Sequence, residues 1–143
     1  MYRYIVAIYL RLSVDDKRVE SMSIESQRLL LRKYAEILGD NVEIIEYVDN
    51  GYSGTNFERP AVQQLLTDVK TYKVNCILVK DFSRFGRNSI EVGYFTQQIF
   101  PLFGVRFISV SDNYDSDEHK GDTGGIAVAV KYLVNEYYSR DLS

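Results

Sequence analysis

The sequence contains very little of what metal sites, disulfide frameworks and membrane anchors require. It has a single cysteine, Cys76, and a single histidine, His119, which argues against an internal disulfide and against a cysteine–histidine zinc site within one chain. No apolar run approaches the roughly 18 residues of a membrane span. The N-terminus also lacks an apolar stretch followed by a small-residue cleavage site. We therefore expect a cytoplasmic protein without a membrane partner.

The motifs of common nucleotide and hydrolase sites are also missing. There is no Walker A loop, no Gly-x-Gly-x-x-Gly turn and no Gly-x-Ser-x-Gly nucleophile elbow, so neither a nucleotide cofactor nor a Ser-His-Asp hydrolase is favoured. Some loop carboxylates suggest a Mg²⁺ site, although such groups are usually only solvated: Asp15, Asp16, Asp112, Asp115 and Asp117. We expect no cofactor, no metal and no small-molecule substrate.

Positive charge is in slight deficit. Lysine and arginine number 17 against 20 aspartates and glutamates, a net charge of -3, which by itself argues against tight nonspecific nucleic-acid binding. The distribution is uneven, because residues 80–88 hold three basic residues and one acidic residue, whereas residues 111–122 hold one lysine and five carboxylates. Any nucleic-acid binding by these residues alone is expected to be weak and salt-sensitive.

Apolar runs and helical patterns alternate along the chain, as they do in proteins built on a parallel sheet. The length of 143 residues suits one domain. We predict an α/β three-layer sandwich with a largely parallel central sheet, with residues 1–121 as the core and residues 122–143 as the start of a long C-terminal helix that packs on this domain or on a partner subunit. The predicted strands are residues 4–10, 42–48, 74–80 and 105–110, and the predicted helices are residues 23–39, 60–72, 88–101 and 126–137.

Hydroxyl and guanidinium groups follow three of the predicted strands. Because the carboxyl ends of parallel strands meet at one edge of a sheet, we expect these groups to lie together: Arg11 and Ser13, Ser53 and Arg59, and Ser83, Arg84 and Arg87. A serine hydroxyl among planar, permanently charged guanidiniums suits a phosphate group, and arginines can stabilise a pentacoordinate phosphorus without a metal. Surface loops often carry arginine and serine, so spacing alone leaves a site without function open.

Five sequence blocks, in order and spread over nearly the whole chain, resemble the serine recombinases of the resolvase/invertase family. They are Tyr9–Ser13, Ser23–Gln27, Asp49–Gly54 with Glu58–Pro60, Ser83–Asn88 and Asn135–Tyr137. The forms Gly-Tyr-Ser-Gly and Glu-Arg-Pro are most similar to the large serine recombinases of the transposase and integrase branch. The resemblance implies a resolvase-like fold with a long interface helix, and the activity of a site-specific DNA recombinase.

The resemblance also implies a role for each matching residue. Ser13 would attack a DNA phosphodiester and form a 5′-phosphoserine linkage, which retains the phosphoester bond so that rejoining needs no ATP. The remaining catalytic residues would be Arg11, Arg84 and Arg87, the substrate-binding residues Gln27, Arg59, Tyr9 and Ser83, and the residue on the interface helix Glu136. The implied partners are double-stranded DNA and further copies of the chain, as a homodimer and then a synaptic homotetramer.

One position departs from the family pattern, which usually has aspartate where this chain has Ser83. Asp81 lies two residues earlier and would share a face with Ser83 if the strand persisted, so it is a candidate substitute, and no general base is assigned. Two alternatives stay open. One is a recombinase-like assembly module that has lost cleavage, and the other is an unrelated domain that binds a small phosphate-bearing molecule.

Overall fold

The computed structural model describes residues 3–12, 23–53 and 57–119. The strands in this part of the chain are β1 (Tyr4–Leu12), β2 (Val42–Asn50), β3 (Cys76–Val79), β4 (Arg106–Ser109) and β5 (Tyr114–Asp115). They form one sheet in the order β2-β1-β3-β4-β5. The first four strands run parallel to one another, and β5 runs antiparallel to β4. The predicted α/β class with a largely parallel sheet is thereby confirmed.

Helical segments connect the parallel strands. They are α1 (Ile24–Glu36), α2 (Pro60–Lys70), α3 (Phe82–Phe85), α4 (Ser89–Tyr94), a π-helical turn (Phe95–Ile99), α5 (Phe100–Leu102) and a 3₁₀ turn (Ser116–His119). Side-chain caps begin two of them: Ser23 Oγ accepts a hydrogen bond from Ser26 N at 3.1 Å, and Asn88 Oδ1 accepts one from Ile90 N at 3.0 Å. Both helices begin where the sequence predicts them, because each cap satisfies a backbone N–H that the first helical turn leaves without a partner.

Helices lie on both faces of the sheet, which gives three layers. The side chains of β1 show this division because they alternate between two cores. Val6 and Ile8 pack with Leu31 of α1 on one face, whereas Ala7 and Tyr9 lie on the other face, in the core that receives α2 and α4. All five side chains are fully buried. The alternation places a tyrosine hydroxyl inside the second core, close to the carboxyl end of β1.

The structure differs from the sequence prediction where the strands end. β1 extends to Leu12, so Arg11 is a buried strand residue rather than the first residue of a loop. Residues 82–85 form the single turn α3 and residues 114–115 form β5, although both segments lie outside every predicted helix and strand. The sequence misses these elements because one helical turn or a two-residue strand is too short to show a periodic pattern.

The remaining points concern the single cysteine, membrane spans and the C-terminal segment. Cys76 is a fully buried core residue of β3, and burial raises the pKa of its thiol to about 12. No helix within residues 3–12, 23–53 and 57–119 is long and apolar enough to cross a membrane. The predicted helix over residues 126–137, the boundary before residue 122 and Glu136 lie outside the described residues.

Candidate active site

Arg11 lies near the carboxyl end of β1 and is fully buried. Its guanidinium joins two segments that follow other strands. Nε and Nη2 donate to the backbone carbonyls of Arg84 and Ser83 at 3.0 and 2.7 Å, and Nη1 donates to the carbonyl of Tyr52 at 2.9 Å. Arg11 therefore ties the segment after β2 and the helix after β3 to the end of β1.

The backbone of Arg11 is held by two further side chains. The amide of Gln27, from α1, accepts a hydrogen bond from Arg11 N at 3.3 Å and donates one to Arg11 O at 3.0 Å. Arg84 Nη1 donates to the same carbonyl at 3.2 Å. Gln27 is fully buried and Arg84 is 6% exposed. The peptide group that precedes Leu12 is thus fixed, and Ser13, which follows Leu12 in the sequence, lies outside the described residues.

A second buried arginine, Arg59, lies directly before α2. Its Nη1 donates to Tyr9 Oη at 2.6 Å, and its Nη2 donates to the Phe85 carbonyl at 2.6 Å. Tyr9 in turn donates to Asp49 Oδ2 at 2.7 Å. Burial raises the pKa of the Tyr9 hydroxyl far above its ordinary value. Tyr9 is therefore a neutral hydrogen-bonding group that links Arg59 to Asp49.

Asp49, at the end of β2, belongs to one of the five sequence blocks, but the sequence alone predicts no role for it in the site. Besides Tyr9, its carboxylate accepts hydrogen bonds from Ala61 N at 2.9 Å and Val62 N at 3.0 Å. It therefore caps α2, where the local cap position is occupied by Arg59, whose side chain cannot accept hydrogen bonds. This was the available signal: a helix that opens with Arg-Pro needs an acceptor from elsewhere in the chain.

We expect Asp49→Asn to lower the free energy of unfolding by about 2 kcal/mol. Asparagine has a single acceptor oxygen for the three donors that converge on this carboxylate, and its amide N–H₂ would face an N–H group. Urea unfolding followed by circular dichroism measures the change. The control is Asp40→Asn at an exposed position, which should change stability by about 0.5 kcal/mol or less. Wild-type stability in Asp49→Asn would contradict the capping role.

The short helix α3 begins with a cap from Asp81. Asp81 Oδ1 accepts hydrogen bonds from Ser83 Oγ at 2.5 Å and from Arg84 N at 3.2 Å, and Lys80 Nζ lies 3.1 Å from Oδ2. Burial raises the pKa of Asp81, but the Ser83 hydroxyl, Lys80 and Arg84 outweigh it and leave the pKa below its ordinary value. The carboxylate is therefore charged at neutral pH, and its Oδ1 already accepts hydrogen bonds from two residues of α3.

This geometry changes the expected relation between Asp81 and Ser83. The sequence argument required β3 to continue through both residues, and that condition is not met because β3 ends at Val79. The two side chains nevertheless touch, because a helix cap reaches the residue two positions later. The turn is also held from the other side, since Asp112, after β4, accepts a hydrogen bond from Phe82 N at 2.9 Å.

Four arginines lie at this edge of the sheet. Three buried arginines lie there together with Arg87, whose side chain is exposed. Burial, followed by the charges of Arg59 and Arg87, lowers the pKa of Arg11 to about 10. That value is still well above neutral, so the charge persists at pH 7. Such an arrangement favours an anion, and among the described residues no group of three histidine, cysteine or carboxylate side chains suits a metal.

Seven of the predicted site residues thus belong to one connected region. They are Tyr9, Arg11, Gln27, Arg59, Ser83, Arg84 and Arg87. The structure adds Asp49 to this set, and Asp81, the candidate substitute for the family aspartate, also bonds to Ser83 in this region. Ser13 and Glu136 lie outside the described residues.

Comparisons with known proteins agree on one family. A family profile described as "Resolvase, N terminal domain" matches residues 6–143. The N-terminal catalytic domain of TP901-1 integrase is 30% identical, with a TM-score of 0.73 over 96% of this chain and 98% of that chain. A resolvase family site-specific recombinase from Streptococcus pneumoniae is 28% identical, with a TM-score of 0.69 over 97% of this chain and 92% of that chain.

A longer protein is similar over part of the chain. It comes from Bacillus subtilis (strain 168) and carries the provisional name DNA recombinase. The two sequences are 30% identical over 82 residues, which is 57% of this chain and 16% of that protein. The chain therefore spans only a small part of the length of this relative.

Proposed function

Because the chain belongs to the resolvase N-terminal domain family of serine recombinases, we propose that it is the catalytic domain of a site-specific DNA recombinase with Ser13 as nucleophile. One observation carries the proposal: buried Arg11 binds the carbonyls of Ser83 and Arg84, while Arg84 binds the carbonyl of Arg11. Two peptide units separate Arg11 from Ser13, so the chain itself limits the distance between their Cα atoms to about 7 Å.

The proposed reaction is a transesterification at phosphorus. Ser13 Oγ loses its proton and forms a bond to phosphorus, the bond from phosphorus to O3′ breaks, and O3′ receives a proton. The products are a 5′-phosphoserine linkage and a free 3′-hydroxyl. A 3′-hydroxyl from an exchanged strand reverses the same steps, and no ATP is needed because each step replaces one phosphoester bond by another.

The three arginines have different roles in the proposed reaction. Arg84 and Arg87 bind the nonbridging phosphate oxygens and stabilise the charge of the transition state. Arg11 adds charge at the same place and also holds Arg84, since three of its N–H groups donate to backbone carbonyls.

Gln27 and Tyr9 are both buried. Gln27 bonds to the backbone of Arg11. Tyr9 bonds to Asp49 and Arg59. Both therefore act by keeping the end of β1 in position rather than by touching DNA.

The partners follow from the same chemistry. Each nucleophile cuts one strand, so cutting double-stranded DNA at two sites requires four subunits, which meet as homodimers and then as a synaptic homotetramer. Glu136 would lie on the helix at that interface. Integration, excision or transposition of DNA in the cytoplasm is the proposed setting, and the similarity to an integrase catalytic domain supports it.

Covalent attachment tests the proposal directly. The complete protein encoded by the gene is incubated with labelled duplexes tiled across the DNA that flanks the gene, and the reaction is stopped in detergent. We expect a protein–DNA adduct that carries the 5′ end of one strand, together with a 3′-hydroxyl that a polymerase extends. Mass spectrometry of the digested adduct should place the nucleotide on residue 13. A folded protein that forms no adduct on any duplex would contradict the proposal.

A further inference from the structure

We propose that Phe57 is a positioning residue of this site, because its ring occupies the space left by the missing side chain of Gly86 and thereby sets the position of Arg87. The inference rests on the proposed function, since it assigns Phe57 a part in the same reaction. Phe57 lies in the connection between β2 and α2 and is only 6% exposed. Its side chain has no polar atom, so it acts on the site through shape and through the face of its ring.

The first contact is with Gly86, which directly precedes Arg87. The φ of Gly86 is −175°, an extended conformation that any residue adopts, so the backbone does not require glycine. Space is the constraint. A Cβ on Gly86 would lie 2.8 Å from Phe57 Cζ and 2.9 Å from Val92 Cγ2, well inside the separation of about 3.5–4.0 Å at which carbon atoms attract one another. The backbone at Gly86 is therefore clamped between two apolar side chains.

The second contact is with Arg59. The guanidinium carbon of Arg59 lies 5.0 Å from the centroid of the Phe57 ring and 5.6 Å from that of Tyr9, within the range of a cation–π interaction. Arg59 in turn donates to the carbonyl of Phe85, the residue before Gly86. Phe57 thus acts on residues 85–87 in two ways, by direct contact with Gly86 and through the position of Arg59.

Phe57 is itself held in place. Its ring centroid lies 5.0 Å from those of Phe85 and Phe95, and the side chain of Gln63 donates a hydrogen bond to its backbone carbonyl. The ring cannot move aside without breaking these contacts. A larger residue at position 86 must therefore displace the backbone that carries Arg84 and Arg87.

Complementary substitutions separate positioning from ordinary core packing. Gly86→Ala adds a methyl group against Phe57, Phe57→Leu removes the ring carbon nearest to Gly86, and the double variant combines the two. We expect each single variant to lower the rate of covalent adduct formation about tenfold or more. The double variant should regain part of that rate instead of multiplying the two losses. A multiplied loss in the double variant overturns the proposal.

The matched control is Val69→Ala. Val69 is fully buried in the same core, near the end of α2 and about 15 Å along the helix from Arg59. This variant should lower the unfolding midpoint and leave the adduct rate unchanged. An equal fall of the adduct rate in Val69→Ala and Phe57→Leu would mean that only general stability matters, and it would overturn the proposal.

A readout without DNA keeps the positioning role distinct from the proposed function. NMR of the arginine side-chain N–H groups should show shifted resonances for Arg59 and Arg87 in Phe57→Leu, and unshifted ones in Val69→Ala. An unshifted Arg87 in Phe57→Leu overturns the proposal. Should Phe57→Leu not fold, Phe57→Met, whose longer and more flexible side chain adapts to an irregular space, takes its place. If the two variants show these NMR differences and the wild-type protein forms no adduct, the proposed function is contradicted while the positioning role is supported.

Discussion

Ser13→Ala is expected to abolish covalent attachment to DNA, a fall of at least about a thousandfold in the rate of adduct formation. The reason is stoichiometric: the linkage is a bond to Ser13 Oγ, and alanine has no atom to form it. Noncovalent binding of the same duplexes should persist, because the cationic edge formed by Arg11, Arg84 and Arg87 is untouched. Detergent gels measure the first quantity, and native gels at several salt concentrations measure the second.

The control for this variant removes a hydroxyl that has no part in the reaction. Ser26 is exposed on α1, so Ser26→Ala should keep the wild-type adduct rate. A 5′-linked adduct that survives in Ser13→Ala would exclude Ser13 as the nucleophile. If the wild-type protein binds DNA and forms no adduct, the alternative of an assembly module without cleavage gains support instead.

Arg11→Met should lower the free energy of unfolding by about 3 kcal/mol. The change removes the Arg11 donor from three backbone carbonyls, those of Tyr52, Ser83 and Arg84. The Arg84 carbonyl keeps a longer hydrogen bond from Arg59 Nη1 at 3.4 Å, and a carbonyl that stays buried and unpaired costs about 1–3 kcal/mol. Methionine fills a similar apolar volume and removes a buried charge, which offsets part of the loss. Denaturant unfolding measures the difference.

The same variant should also impair catalysis, because the backbone carbonyl of Arg84 loses its 3.0 Å hydrogen bond from Arg11. Arg32→Met is the control, since Arg32 pairs with Glu46 on the surface with 44% of its side chain exposed. Its effect should stay below about 1 kcal/mol. If Arg11→Met lowers the free energy of unfolding by less than about 1 kcal/mol, the carbonyls find other partners. That result would contradict the role of Arg11 in holding these segments together.

Much of this site could be predicted from the sequence because its chemistry resides in short blocks. Arg11, Arg84 and Arg87 stand out as arginines near strand ends, and the topology of parallel strands brings such ends together. Their individual duties could not be predicted, because a guanidinium suits a phosphate and a backbone carbonyl equally well. Which acceptor a guanidinium binds depends on the groups that lie nearest to it after folding. For Arg11 these groups are three backbone carbonyls.

Other site residues escape a reading of the sequence for a different reason. In the sequence, Asp49 looks like an aspartate of a turn and Phe57 looks like an ordinary apolar residue. The role of each depends on a contact with a residue elsewhere in the chain. Asp49 caps α2 from the end of β2, and Phe57 meets Gly86 across the second core. Periodicity reports only which face of an element is apolar, so contacts of this kind become visible only in three dimensions.

The hydrogen bond between Arg11 and Arg84 spans 73 positions of the chain, and this separation has a consequence for synthesis. At about 5–20 residues per second, a ribosome needs several seconds or more to make that stretch. During this interval the nascent chain carries Ser13 but neither Arg84 nor Arg87. In the proposed mechanism an unfinished chain would therefore carry the nucleophile without the arginines that stabilise the transition state, so DNA cleavage would have to wait until the residues through Arg87 are made.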